Sequence, residues 1–175
     1  MEALAAEIAH NYGRGRVVVA VDGAGSSAFA DDLALALELP DRPAFRASAD
    51  DFRRPTGERG PDDEALGLDL SLFRRVLIEP FRMAGSAGFV LDAYDAERDV
   101  ATESRWTTAG QDAILIVDGR SLHRPELAGL WNYSLWLDGG EGDEGAEDRA
   151  ARSAAMAIVD LRDPEHPRRV YADSC

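Results

Sequence analysis

The chain has no lysine. All 19 of its basic side chains are arginine, set against 33 acidic ones in 175 residues, for a formal charge of −14. Without lysine no Schiff base can form, and no ammonium can ride over a nucleotide phosphate. The acid excess, with a pI near 4.5, argues against a broad nucleic-acid footprint, since such binding is mainly cation-to-phosphate contact. It also excludes a polybasic membrane anchor. Cysteine is nearly absent: the only one, Cys175, is the last residue. No internal disulfide can close, and a reducing compartment is expected. No apolar run approaches the ~20 residues that span a bilayer, and Met1 to Tyr12 lacks the charged-then-apolar pattern of a signal peptide. What is present is 45% hydrophobic residues, enough for a chain of this size to bury roughly 70% of its unfolded surface. The expectation is a cytoplasmic, acidic protein with one domain over residues 1–175.

Apolar runs and helical patterns alternate along the chain. Glu2 to Asn11 reads as a short amphipathic helix broken at Gly13 and Gly15. Arg16-Val-Val-Val-Ala-Val21 is β-branched without polar alternation, as in a strand buried on both faces. Gly23 to Ser27 turns the chain, and Phe29, Leu33 and Leu37 recur at helical spacing until Pro40. Further strands are expected at 45–49, 88–92, 113–117 and 133–137, with a short final one at 169–172. Helices are expected at 70–80, 125–131 and 149–160. Residues 53–63 read as an exposed Pro/Gly-rich loop, and 138–148 as a Gly-rich acidic one. There is no internal repeat and no interdomain linker. Such alternation implies an α/β fold with a parallel sheet of about five strands and helices on both faces.

In an open parallel sheet, ligands bind beyond the carboxyl ends of the strands, so the turn after the first strand is the first place to look. It reads Val21-Asp-Gly-Ala-Gly-Ser-Ser-Ala-Phe29. Gly23 and Gly25 permit close backbone approach, and Ser26 or Ser27 can cap the following helix. The turn is either an anion cradle made of N–H groups and helix dipole or simply a tight turn with an N-cap.

Several stretches then follow in a telling order: Arg16-Val-Val-Val-Ala-Val-Asp-Gly23, Phe29-Ala-Asp-Asp-Leu-Ala34 and Arg46-Ala-Ser-Ala-Asp-Asp-Phe-Arg-Arg-Pro55. After them come Ile116-Val-Asp-Gly119 with Leu122-His-Arg-Pro-Glu-Leu-Ala128, Leu135-Trp-Leu-Asp138, and the tail from Asp163 to Asp173. Together they resemble the uridine kinase family of P-loop kinases, especially its compact actinobacterial-type members, over most of residues 14 to 138 and the tail. The resemblance implies a three-layer P-loop kinase fold, ATP and Mg²⁺ as cofactors if the protein is active, and a small-molecule nucleoside or nucleotide as partner. It makes Gly23, Ala24, Gly25, Ser26 and Ser27 the phosphate turn, Asp50 the general base, and Ser27 and Asp118 the Mg²⁺ contacts. Asp51, Arg53, Asp92 and Tyr94 fall on the nucleoside side. The strand carrying Asp118 is then the family's fourth, and the one ending at Asp138 its fifth.

The sequence also departs from that pattern. A working P-loop reads G-x-x-x-x-G-K-[ST], with the lysine on the β- and γ-phosphates. Aligned on Phe29, Ser26 stands at the lysine, Ser27 at the hydroxyl and Gly25 at the second glycine. The loop is about three residues too short. Arg120, Arg53 and Arg54 are the candidate replacement cations, or else surface arginines with solvated heads. Where the family carries an arginine-rich lid, this chain has six carboxylates between Asp138 and Asp148. That loop either repels a triphosphate or is merely solvated; Arg149 and Arg152 are lid remnants or ordinary surface partners.

The candidate residues keep a structural alternative as well. Asp50 and Asp51 also fit a turn cap, and Asp118 a strand-end cap. Asp92 and Tyr94 also fit an ordinary surface. His123, beside Arg124-Pro125, reads as a capping or packing residue, and Trp106, Trp131 and Trp136 as packing. Three functions remain: a divergent uridine kinase-like protein with weak or absent phosphotransfer, an active kinase using arginine for lysine, and a non-enzymatic binding protein with a vestigial site.

Overall fold

The computed structural model describes residues 1–61, 67–83, 85, 87–139 and 145–170. Its frame is a six-stranded sheet. The strands are β1 (Arg16–Gly23), β2 (Ala44–Ser48), β7 (Ala113–Gly119), β8 (Tyr133–Asp138), β9 (Ala157–Asp160) and β10 (Arg168–Val170), in the order β10-β9-β8-β1-β7-β2. Five run parallel and β10 closes one edge antiparallel to β9. Two small antiparallel ribbons, β3 (Phe89–Val90) with β6 (Trp106–Thr107) and β4 (Tyr94–Asp95) with β5 (Val100–Ala101), lie apart from it.

Helices cover both faces, and the strand period assigns each side chain to one of them. Val17, Val19 and Val21 of β1 meet Ile8 of α1 (Glu2–Asn11) and Phe29, Leu33 and Leu37 of α2 (Ser26–Leu37). Val18 and Ala20 point to the other face, with Phe73, Leu77, Ile78, Phe81 and Leu127. The helical segment there runs from α3 (Leu70–Phe73) through a π-helical turn at Arg74–Ile78 into α4 (Glu79–Met83). It continues past Pro80, which has no N–H to give an α-helical ladder; the wider turn before it takes up the mismatch.

Four expectations are corrected. The fifth parallel strand is β9, within the segment read as a helix over 149–160; the helix, α5 (Ala146–Ala154), ends earlier. The β-branched Ile158 and Val159 gain a ladder with β8, which outweighs the alanine-rich helical pattern before them. Residues 88–92 contribute only the two-residue β3, outside the main sheet. The strand ending at Gly119 is consequently the third parallel strand of the frame in chain order, and β8 the fourth. Pro125–Leu127 forms one 3₁₀ turn instead of a helix to 131. The last strand begins at Arg168, and 171–172 of the expected strand, like the tail beyond and 140–144 of the acidic loop, lie outside the described residues. No helix among the described residues is long and apolar enough to cross a membrane.

Candidate functional site

β1 delivers the chain to its turn by a close approach to β8. Gly23 has φ +106°, and an added Cβ would stand 2.4 Å from the Leu137 carbonyl oxygen. Only Ala24 and Gly25 separate strand from helix. Gly25, at φ +73°, is the N-cap, and its carbonyl accepts the Phe29 N–H at 3.1 Å. Ser26 and Ser27 are therefore the first helical residues, and neither side chain caps α2.

All five turn residues line a cleft of about 1030 Å³ over the carboxyl edge of the sheet. Asp50, Asp118 and Arg120 line it too, as does α5 on its far wall. Asp51, Arg53, Asp92 and Tyr94 are not among its lining residues. Asp92 borders a second hollow of about 490 Å³ with Arg105 and Trp106. Tyr94 is tied into its own ribbon, its hydroxyl donating to Asp99 Oδ1 at 2.7 Å and accepting from Arg59 at 3.2 Å. Arg53 pairs with Asp50. Asp51 is half-buried; burial pushes its carboxyl above the ordinary range, and Asp92, Asp50 and Asp118 push it the same way against Arg46. Asp50, unlike Asp51, lines the cleft.

Arg46 of β2 decides the metal question. Its Nη1 is 2.7 Å from Asp118 Oδ1, its Nε 2.8 Å from Asp31 Oδ1, and its Nη2 donates to the Ser27 carbonyl at 3.3 Å. The two residues expected to hold Mg²⁺ are thus bridged by a guanidinium. A hard dication beside a fixed cation is repelled, and Asp118, only 5% exposed in its side chain, already has Arg46 as its counter-charge. Among the described residues no three His, Cys, Asp or Glu side chains gather as a metal group. The residues present do not fit Mg²⁺ at this place.

The cleft also holds a pair that lies 101 positions apart in sequence. Asp22, at the end of β1 and 1% exposed, accepts from the His123 backbone N–H at 3.2 Å, and its Oδ2 lies 3.0 Å from His123 Nδ1. A carboxylate only accepts, so Nδ1 carries the proton there. The imidazole lies edge-to-face with Trp136, ring centroids 6.4 Å apart. His123 Nε2 and Trp136 Nε1 are both buried without a hydrogen-bond partner, an arrangement that costs about 1–3 kcal/mol per group. Alternation explains the grouping: Asp22 and Trp136 are register partners on the face opposite α2. The one signal in the sequence was a carboxylate ending an otherwise apolar strand, which must find a donor once buried.

α5 buries no side chain. It is held over the cleft by Arg152 to Asp138 at 2.8 Å and Glu147 to Arg124 at 3.6 Å. Arg152 thus lines the cleft with its charge matched by Asp138.

No family model matches the chain, and no curated protein does. Solved structures do. One, from Bacillus stearothermophilus and described as a possible uridine kinase, superposes with a TM-score of 0.64 at 20% identity, covering 78% of this chain and 78% of that one. Another, from Silicibacter sp. and assigned as a fructose transport system kinase, gives 0.61 at 22% identity over 86% of this chain and 78% of its own. With both the chain shares a fold, a largely parallel sheet covered by helices on both faces.

Proposed function

We propose that the protein is a uridine kinase-like binder of a nucleoside or nucleotide in which phosphotransfer from ATP is weak or absent. The observation that carries this reading is the pairing of a two-residue turn, with Ser26 at the lysine position, with Arg46 lodged between Ser27 and Asp118. A charged contact to the transferring phosphoryl is worth ~10³ or more in rate, and the turn supplies none. The cleft remains, roomy enough for a nucleotide, with a polar edge and an arginine on its rim. Asp50 keeps a position facing that cleft but holds Arg53 by an ion pair, so its role is to orient an acceptor hydroxyl more than to ionise it.

Calorimetric titration of ATP and of uridine, with and without Mg²⁺, tests binding. The expected result is measurable binding of at least one of the two with little change on adding Mg²⁺. A radiometric transfer assay should give no product above background, and activity should emerge only after the turn is lengthened by three residues with Ser26→Lys. Mg²⁺-dependent transfer by the parent protein, lost in Asp50→Asn, would instead establish an active kinase that uses arginine. No binding of either compound would leave a vestigial cleft.

A further inference from the structure

Three polar groups of the cleft have no partner in the arrangement above. Nε2 of His123 and Nε1 of Trp136 are buried and unbonded. Arg120, exposed on the rim, makes no hydrogen bond or ion pair among the described residues. The carboxylates of the same cleft are each satisfied, Asp22 by His123 and the others by the arginines and the Gly145 N–H. Trp136 Nε1–H therefore lacks an acceptor, and His123 Nε2 lacks a donor. An indole N–H can only donate. With the Nδ1 proton given to Asp22, Nε2 keeps a lone pair that can only accept.

We propose that His123, Trp136 and Arg120 receive a phosphate group at the carboxyl edge of the sheet, in the role the missing lysine would fill. One phosphate oxygen accepts from Trp136 Nε1–H. The P–OH of a phosphate monoanion donates to the lone pair of His123 Nε2, whose tautomer is held by the Nδ1–H bond to Asp22. Arg120 supplies the remaining positive charge from the rim. This rests on reading the cleft as a nucleotide site, and it names the phosphate end of that ligand. The ligand class is a phosphoanion, either free or carried by a nucleoside.

Nitrogen-edited NMR of the intact protein tests it, because the three tryptophans report separately. Trp131 Nε1–H is fixed on the Leu122 carbonyl at 2.8 Å and Trp106 is 64% exposed outside the cleft, so both serve as references. Pyrophosphate, ADP and uridine are the probes. The expected result is that pyrophosphate and ADP move the Trp136 indole and His123 ring resonances, while uridine leaves them in place. Trp136→Phe, which keeps the ring and deletes the donor, should weaken pyrophosphate about tenfold with uridine affinity unchanged. If that variant does not fold, the parent spectra decide alone. Phosphates that bind with both resonances unmoved, or that do not bind at all, overturn the proposal; the first of these leaves the nucleotide reading standing. Movement with pyrophosphate but no binding of ADP or uridine supports the phosphate site and overturns the nucleotide reading.

Discussion

Gly23 and Asp51 are the residues whose chemistry is most exposed to a single change. At Gly23 a methyl group meets the Leu137 carbonyl oxygen at 2.4 Å, and φ is +106° besides. The strained backbone costs ~1–3 kcal/mol, and backbone has to move to clear the contact, at a similar cost. Gly23→Ala is therefore expected to lose about 2–5 kcal/mol in urea denaturation; an unchanged midpoint would mean that β8 withdraws freely. Asp51 works through its proton. Its carboxyl titrates above the usual range because of burial first and Asp92, Asp50 and Asp118 next. The folded state then holds the proton more tightly than the unfolded chain, whose carboxyl titrates near ~3.9. The resulting stability is fully present below that value and is lost as pH rises through the higher folded pKa. Asp51→Asn cannot ionise, so it should melt above the parent at neutral pH, with the gap closing below about pH 4. Thermal melts at the two pH values check the sign.

The bridge from Arg46 ties three elements, β2 through its own backbone, β7 through Asp118 and α2 through Asp31 and Ser27. Removing the guanidinium leaves Asp118 buried and unpaired, at a cost of about 3 kcal/mol. Arg46→Met should show that loss, and Arg46→Met with Asp118→Leu should recover part of it; a double mutant as unstable as the sum of the singles would deny the coupling. α5 is held by surface pairs worth ~1 kcal/mol or less each, with no buried side chain of its own. Its amides are expected to exchange well before those of α2 in hydrogen-exchange measurements. The same elements show what the sequence disclosed. β1 and β7 were legible because central parallel strands are apolar on both faces, and α2 because Phe29, Leu33 and Leu37 keep a helical period. β9 was misread because an alanine-rich run carries straight into it, and nothing local says that β8 offers a free edge. Residues 88–92 were equally apolar, yet their ladder goes to Trp106 and Thr107. The turn between β1 and α2 was readable from its glycines, but the Asp22–His123 pair needed the fold, since it joins the end of one strand to the loop after another.

Across the whole molecule the field is set by charge, −14 in 175 residues. A phosphate-bearing ligand must approach against it, whatever the cleft offers at contact. At 0.01 M ionic strength the Debye length is ~30 Å, so an incoming anion senses the entire acidic surface; at 0.15 M it is ~8 Å, and only the cleft's own groups act. Those groups are largely matched in pairs, with Arg120 as the cation left over among the described residues. Added salt therefore removes long-range repulsion faster than it weakens the local attraction. The association rate of ADP should rise between these two salt concentrations, opposite to the behaviour of a basic phosphate site, while that of neutral uridine should stay flat. Dissociation should change little, because the proposed contacts to Trp136 and His123 are short-ranged and buried. Stopped-flow mixing at several salt concentrations measures both rates. An ADP association rate that falls with salt would show that arginines at the cleft mouth dominate the field, and that the acidic surface does not govern access.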